Sequence, residues 1–461
     1  MTAESTTKET WKFPKDFWYA NYMELCERAA YYGFYILLTV YLTDIVDFSD
    51  MWGNTIAGLF AGFLYFLPPF SGAVADRIGF KNGLILAFGL LTVGYFFLGV
   101  FHTKAVVIFF LFVLMVGASF IKPLITGTVA KTTTEINRAR AFSLFYWIVN
   151  IGAFSGKTVV PWIRRGLGIE YINFFSAGMS LLALFLALFL FKDIETKAER
   201  KPFKEILGAL VKILTNVRLM TLTVIISGFW LLQSQLYATM PKYVLRTVGQ
   251  DANPSWLANV NPFVVVLFVV GITQVMKKKK AITSMVVGLL IMPFSAFAMS
   301  LGQWLQTITG TEVSLIGSIV FHPITIMMIV GISLQGIAEC FISPRFLEYF
   351  SLMAPKGEEG VYLGFSHLHS FISYIAGGVI SGYLLTTYCP DPKTLLSPEL
   401  LEKVSAGVDP VTLLTASQKA MYYSDSHVIW YYFASIGVIA AIALLVFQYV
   451  TKRNDAKQQA A

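Results

Sequence analysis

The sequence predicts an all-α, multi-pass membrane protein, and three observations carry that prediction. Of its 461 residues only 13% are charged and 56% are hydrophobic, whereas a soluble domain carries about 25% charged residues. Mean hydropathy is +0.65. Long apolar runs recur, among them 56–70, 106–120 and 438–447, and a helix needs about 20 mostly apolar residues to cross a bilayer. An ordinary soluble enzyme is excluded.

Breaks at charge and turn clusters place about twelve spans. They lie near 17–44, 52–76, 82–101, 105–130, 140–163, 169–191, 218–244, 257–276, 281–303, 314–344, 360–386 and 428–450. The first is far longer than the ~7–15-residue core of a cleaved signal peptide, so it is expected to remain as a span. Basic residues alternate by connection: the lysines at 8–15, Arg77 with Lys81, Lys131 with Arg138 and Arg140, the 192–218 connector, Lys277 to Lys280, and Lys452 with Arg453. Opposite them fall acidic segments such as 44–50. This positive-inside bias puts both termini in the cytoplasm of a plasma-membrane or inner-membrane protein. The formal charge of +8 has the same origin, and no nucleic-acid partner is expected.

The spans group into an N-terminal six-helix bundle, 1–191, and a C-terminal one, 218–461, joined by a cytoplasmic linker, 192–217, with an amphipathic stretch after Pro202. Two six-helix halves are the outline of a major facilitator fold. Residues 387–427 are expected as an extended noncytoplasmic loop with short surface helices. Cys26, Cys340 and Cys389 stand at unrelated positions, which argues against a disulfide framework and against a cysteine metal site.

A charge at the bilayer centre costs at least about 2.5–3.5 kcal/mol, so such residues ought to be engaged. Here they are Glu24, Glu27, Arg28, Lys122, Lys157 and Glu339. Helix-to-helix pairing would account for some of them, but their spread over four helices reads as a polar pathway. In the first helix Glu24, Arg28, Tyr31 and Tyr35 share one face, with Glu27 beside Arg28.

Glu24-Leu-Cys-Glu27-Arg28 followed by Tyr31-Tyr32-Gly33 resembles the ExxER…YYG signature of the proton-coupled oligopeptide transporter family of the major facilitator superfamily. Further segments are similar to that family's pattern in the same order: Tyr65–Pro68 with Gly72–Gly79, Lys122-Pro123, Phe145–Gly152, Phe229–Gln235, Asn261-Pro262 and Glu339–Pro344. The resemblance covers roughly residues 20–385. It implies a proton-coupled symporter that imports di- and tripeptides by alternating access and is driven by the proton gradient without a cofactor. Its partners would be short peptides, protons and lipid, and a monomer is expected.

The chemistry of a peptide fits the same residues. A zwitterion needs a cation for its carboxylate, an anion for its amine and tolerant space between. Arg28 and Lys122 supply the positive end and Glu339 the negative end. Asn150 and Asn261 add neutral hydrogen-bond partners, and Tyr31, Tyr32, Tyr65, Tyr146 and Trp230 give amphipathic walls. The resemblance adds Gln235 and Ser343 to the substrate-binding set. Glu24, Glu27 and Arg28 form the expected proton-coupling group: protonating Glu27 would free Arg28 for a substrate carboxylate.

Departures from the family pattern matter as well. Tyr35 stands where bacterial peptide transporters usually show a second arginine, and Ser234 stands where they show a glutamate, as if an ionic gate had become a neutral contact. Ala29, Leu124 and Ser366 also differ. Lys157 is an added cation, which either snorkels to the outer interface or lines the entry and biases the site toward acidic or longer substrates. The alternative function is therefore a same-family carrier of another small solute: an acidic peptide, an amino-acid conjugate, nitrate or another organic anion. His367 and His369 point to different faces of a helix, which disfavours a metal site. Gly152–Thr158 looks like a nucleotide-binding loop, but it is one residue short and lies within an apolar helix. No nucleophile–base pair is present to support an enzyme.

Overall fold

The computed structural model describes residues 12–133, 138–192, 203–249, 252–276, 278–316, 319–353, 365–405 and 408–460. In chain order the helices are α1 (Lys15–Tyr35), α2 (Leu38–Asp44), α3 (Asp50–Phe66), α4 (Pro68–Ile78), α5 (Phe80–Val100), α6 (Lys104–Lys131), α7 (Arg138–Gly166), α8 (Tyr171–Phe185), α9 (Phe203–Thr215) and α10 (Val217–Ala238). There follow α11 (Met240–Thr247), α12 (Pro254–Met276), α13 (Ala281–Ser300), α14 (Gly302–Thr309), α15 (Pro323–Met353), α16 (Leu368–Tyr388), α17 (Pro398–Ser405), α18 (Ala416–Tyr423) and α19 (Val428–Ala460).

Among the described residues nine helices are long and apolar enough to cross a membrane, or ten if the bent pair α3 and α4 is one span. The bend falls at Leu67, just before Pro68-Pro69, where prolines remove backbone donors from the helix ladder. Helices α1 and α7 have spanning length but are too polar for that test. α1 holds Glu24, Glu27 and Arg28, and α7 holds Asn150 and Lys157.

Several expected spans are subdivided. Residues 17–44 form α1 and α2, and 218–244 form α10 and α11. Pro241 sits in the first turn of α11 and cannot donate to the carbonyl of Tyr237; that oxygen instead accepts from Thr39 Oγ1 at 3.4 Å. The span expected at 314–344 is corrected at its start. Val313–Ile316 and Ile319–Phe321 are antiparallel strands, β1 and β2, with Val313 opposite Phe321. Valines and isoleucines around a Gly-Ser pair favour such a ribbon. The helix begins only at Pro323, a residue suited to a first helical turn. Part of the span expected at 360–386 lies outside the described residues, as does 193–202 of the linker. Helix α9 follows Pro202 as expected, and 387–427 contains a 3-10 turn at Pro392–Leu395 with α17 and α18. The three cysteines are free.

Packing divides the chain into two compact units, residues 1–34 with 67–206 and residues 35–66 with 207–461. The expected boundary at 192–217 divides the chain by order, whereas α2 and α3 pack within the second unit. In the first unit α5 lies against α6 and α8, and α4 lies against α6. Leu84, Phe88, Leu114 and Ile121 are fully buried there, and Ser71 Oγ donates to the Ser119 carbonyl at 2.7 Å. In the second unit α13 packs against α15 and α19, α10 against α16 and α19, and α3 against α16. That last contact needs Gly58 and Gly378, because a Cβ on either would overlap the backbone of the other helix.

One end of the second unit is held by buried ions. Asp50 opens α3, where the helix dipole already favours a carboxylate. Its Oδ1 accepts from Lys242 Nζ at 2.8 Å and Arg246 Nη2 at 2.9 Å, and its Oδ2 from Arg246 Nη1 at 2.7 Å. Arg246 also donates to the Cys389 carbonyl at 2.6 Å and lies 3.6 Å from Asp391 Oδ2. Lys393 Nζ donates to the Asp44 carbonyl at 2.9 Å. The segment after α16 is thereby clamped to α2, α3 and α11. Removing one partner from a buried ion cluster costs about 3–5 kcal/mol because the others stay charged and dry. Asp50→Ala is therefore expected to lose about that much in detergent denaturation, while the exposed Glu402→Ala stays within about 0.5 kcal/mol of the parent. Equal effects would contradict the clamp.

Candidate functional site

The polar residues fall into two groups, one in each unit. In the first unit α1 presents Glu24 and Glu27, both buried, with Arg28 between them. Arg28 Nε lies 3.3 Å from Glu24 Oε1, and its guanidinium pairs closely with the Glu27 carboxylate. Glu24 Oε2 is buried with no hydrogen-bond partner among the described residues. The Arg28 guanidinium stands 5.4 Å from the Tyr31 ring centre and 5.9 Å from that of Tyr32. Lys122 is partly buried on α6, within electrostatic reach of Glu24, Glu27 and Arg28.

Helix α7 reaches this group through two glycines. A Cβ on Gly152 would lie 2.7 Å from the Leu25 carbonyl and 2.8 Å from Arg28 Cβ, and one on Gly156 would overlap the Ala29 backbone. The stretch that looks like a nucleotide-binding loop is thus a small-xxx-small helix contact, which lets two backbones touch. Lys157 follows Gly156 directly. It is 1% exposed, with Nζ 5.5 Å from the Tyr32 ring centre, so it does not snorkel to an interface. Asn150 is partly buried on the same helix. Tyr146 lies on α7, but its side chain is outside the described residues.

In the second unit the centre is Glu339 on α15. Its Oε2 accepts from Gln233 Nε2 at 3.0 Å and Asn261 Nδ2 at 3.3 Å. Gln233 was missed by sequence reasoning, which took Gln235. The Gln235 amide donates to the Leu231 carbonyl and to Ser234 Oγ, while its oxygen accepts from Thr239, so it is engaged along its own helix. Ser343, one turn beyond Glu339, has a buried Oγ with no hydrogen-bond partner among the described residues.

An aromatic wall stands in the same unit. Trp230 stacks on His369 at 5.3 Å, and His369 meets Phe346 edge-on at 4.8 Å. Tyr65 stacks on Tyr374 at 5.5 Å and lies 5.7 Å from His367. The histidines are packed aromatic neighbours. Among the described residues no group of three His, Cys, Asp or Glu is placed to hold a metal ion. Tyr35 packs among Tyr237, Tyr374 and Phe60, and Ser234 donates to the Leu231 carbonyl.

The Major Facilitator Superfamily profile matches residues 23–316. Dipeptide and tripeptide permease B of Salmonella typhimurium is 23% identical over 465 aligned residues, which cover 86% of this chain and 91% of the permease. The permease B of Photorhabdus asymbiotica is 30% identical over 214 residues, 44% of each chain, so that match spans less than half of either protein. The in meso crystal structure of the POT family transporter PepTSo aligns with a TM-score of 0.68 at 18% identity, covering 96% of this chain and 99% of that one. At that identity the likeness is one of fold.

The glycine contact is directly testable. Gly156→Ala forces a methyl group into the α1 backbone and is expected to destabilise the folded protein by about 1–3 kcal/mol. Gly166→Ala, on the same helix with open space around it, is expected to change stability by no more than about 0.5 kcal/mol. Matched melting curves in detergent distinguish the two, and equal shifts would refute the close approach.

Proposed function

Because the chain belongs to the Major Facilitator Superfamily, we propose that it is a proton-coupled symporter that imports di- and tripeptides by alternating access. Among the described residues nine helices satisfy the length and composition test, ten if α3 and α4 form one span, and this reading counts α1 and α7 with them to make twelve. The positive-inside bias of the loops supports cytoplasmic termini and a plasma or inner membrane in this reading.

The observation that carries the reading is the complementary chemistry of the two groups. Glu339 is held by two neutral amides, Gln233 and Asn261. Those contacts orient the carboxylate, and a carboxylate is the natural partner of a substrate ammonium. In the first unit Arg28, with Lys122 in electrostatic reach, offers a guanidinium suited to a carboxylate. Asn150 and Asn261 add amide groups for the peptide bond, and Tyr31, Tyr32, Tyr65 and Trp230 accept varied side chains.

Proton coupling follows from competition for one cation. Arg28 serves both Glu24 and Glu27, and Glu24 keeps one oxygen without a partner among the described residues. Protonating either acid weakens its hold on Arg28 and leaves the guanidinium for a substrate carboxylate. Release of the substrate restores the internal pairs and returns the proton. Without this competition transport would be uncoupled exchange.

The test is proton influx into liposomes that hold the purified protein, with a negative-inside potential, after addition of dialanine. A saturable signal is expected, and Glu339→Gln is expected to abolish it. Glu27→Gln is expected to lose gradient-driven accumulation while counterflow of labelled dialanine continues. Silence from folded wild-type protein would refute peptide symport. Undiminished accumulation by Glu27→Gln would refute the coupling scheme alone.

A further inference from the structure

The end of the second unit that the loop charges mark as cytoplasmic carries a cavity of about 650 Å³, within the range of ligand pockets. It lies where α10 and α13 begin and where α15 and α19 end. Among the described residues four cations line it: Arg218 from α10, Lys279 and Lys280 from the turn before α13, and Lys452 from α19. Glu348 is the acid in the same lining, and its Oε2 already accepts from Arg345 Nη1 at 2.6 Å. Lys279, Lys280 and Lys452 make no ion pair among the described residues.

The walls are fixed to one another. Arg218 Nε donates to the Tyr349 hydroxyl at 2.8 Å, linking α10 to α15, and Gln448 Nε2 donates to Thr283 Oγ1 at 3.1 Å, linking α19 to α13. A topology signal needs basic residues only within a short connection. Here cations from positions 218, 279–280 and 452 converge on one concave surface, which a topology signal does not require.

The mouth of the cavity is apolar. Leu352 is 75% exposed and Tyr449 67% exposed. Tyr449 continues an exposed stripe along α19 through Val446, Ile442 and Ile439, which recur at helical spacing on one face. A soluble phosphate compound would engage the cations and make no use of the stripe. A phospholipid engages both, with its headgroup among the lysines and its acyl chains along α19. Anionic lipids give the cytoplasmic leaflet its negative surface, and basic pockets between helices on that side suit their headgroups.

We propose that this cavity binds the headgroup of an anionic phospholipid of the cytoplasmic leaflet, its phosphate held by Arg218, Lys279, Lys280 and Lys452. The bound lipid bridges the ends of α10 and α15, the helices that carry Gln233 and Glu339.

The experiment is native mass spectrometry of the purified full-length protein in neutral detergent, offered equal amounts of phosphatidylglycerol and phosphatidylcholine with the same acyl chains. Wild-type protein is expected to retain phosphatidylglycerol at least about fivefold more. Replacing Lys279, Lys280 and Lys452 together by glutamine is expected to bring that ratio near one, and replacing them by arginine to preserve it. The triple variant Lys12→Gln, Lys15→Gln, Lys204→Gln removes as much charge from exposed positions elsewhere and is expected to keep the wild-type ratio. A wild-type ratio near one overturns the inference, whatever the variants do. So does a ratio that survives the glutamine replacements in the cavity, or one that falls equally in the control, which would mean diffuse attraction. Glycerophosphoglycerol, the headgroup without acyl chains, is expected to leave the bound lipid in place at equal concentration; full displacement would assign the cavity to a soluble phosphate compound. Retention of lipid is read without transport, so its outcome stands apart from that of the dialanine assay.

Discussion

A charge surrounded by helices and lipid must be answered by fixed groups of the protein, because water is not there to do it. The buried ions of this chain meet that constraint to different degrees. Asp50 is saturated: both of its oxygens accept from Lys242 and Arg246, and Arg246 spends further donors on the Cys389 carbonyl. Such a group has nothing left to offer a ligand and works as a clamp. Arg28 is divided between two acids, one of which keeps an oxygen without a hydrogen-bond partner among the described residues. Glu339 is oriented by amides that carry no charge. A cation divided between two acids can give up one of them when that acid is protonated, whereas a saturated carboxylate such as Asp50 holds its partners.

Position is supplied by residues with almost no chemistry of their own. Gly152 and Gly156 let α7 touch α1, and Gly58 and Gly378 let α3 touch α16. In lipid the helices gain little from hydrophobic association, so close backbone contact has to supply the attraction. Prolines act in the opposite sense. Pro68, Pro69 and Pro241 end helical segments within what the apolar pattern reads as single spans, and at Tyr237 the freed carbonyl is met by a threonine from another helix.

The spans were legible because apolar length is a local property, and α1 was legible because its charges fall on one face. What stayed hidden was long-range or directional. Lys242 bonds Asp50 across 192 positions, yet the sequence shows the one as the end of a span and the other as part of an acidic loop. Gln233 and Gln235 differ by two residues, or about 200° around a helix, so only the packing of α10 reveals which one faces Glu339. Gly152–Thr158 had the composition of a phosphate loop, and its meaning emerged only with α1 beside it. The strands at 313–321 were absorbed into an apolar run whose period could not distinguish a ribbon from a helix start.

The two departures at Tyr35 and Ser234 belong together for an electrostatic reason. The family pattern would put an arginine at one and a glutamate at the other, and losing only one would strand a charge in a buried setting, a heavier penalty than losing both. Here both positions are neutral. Tyr35 is absorbed into a cluster of rings and Ser234 into its own helix. Within this unit a buried ionic contact is made by Asp50, Lys242 and Arg246, where a bidentate guanidinium and an ammonium together satisfy one carboxylate. That arrangement also recruits the segment after α16 through Asp391 and Cys389. With the Lys393 contact to the Asp44 carbonyl, these bonds join four chain segments, α2, α3, α11 and the stretch after α16.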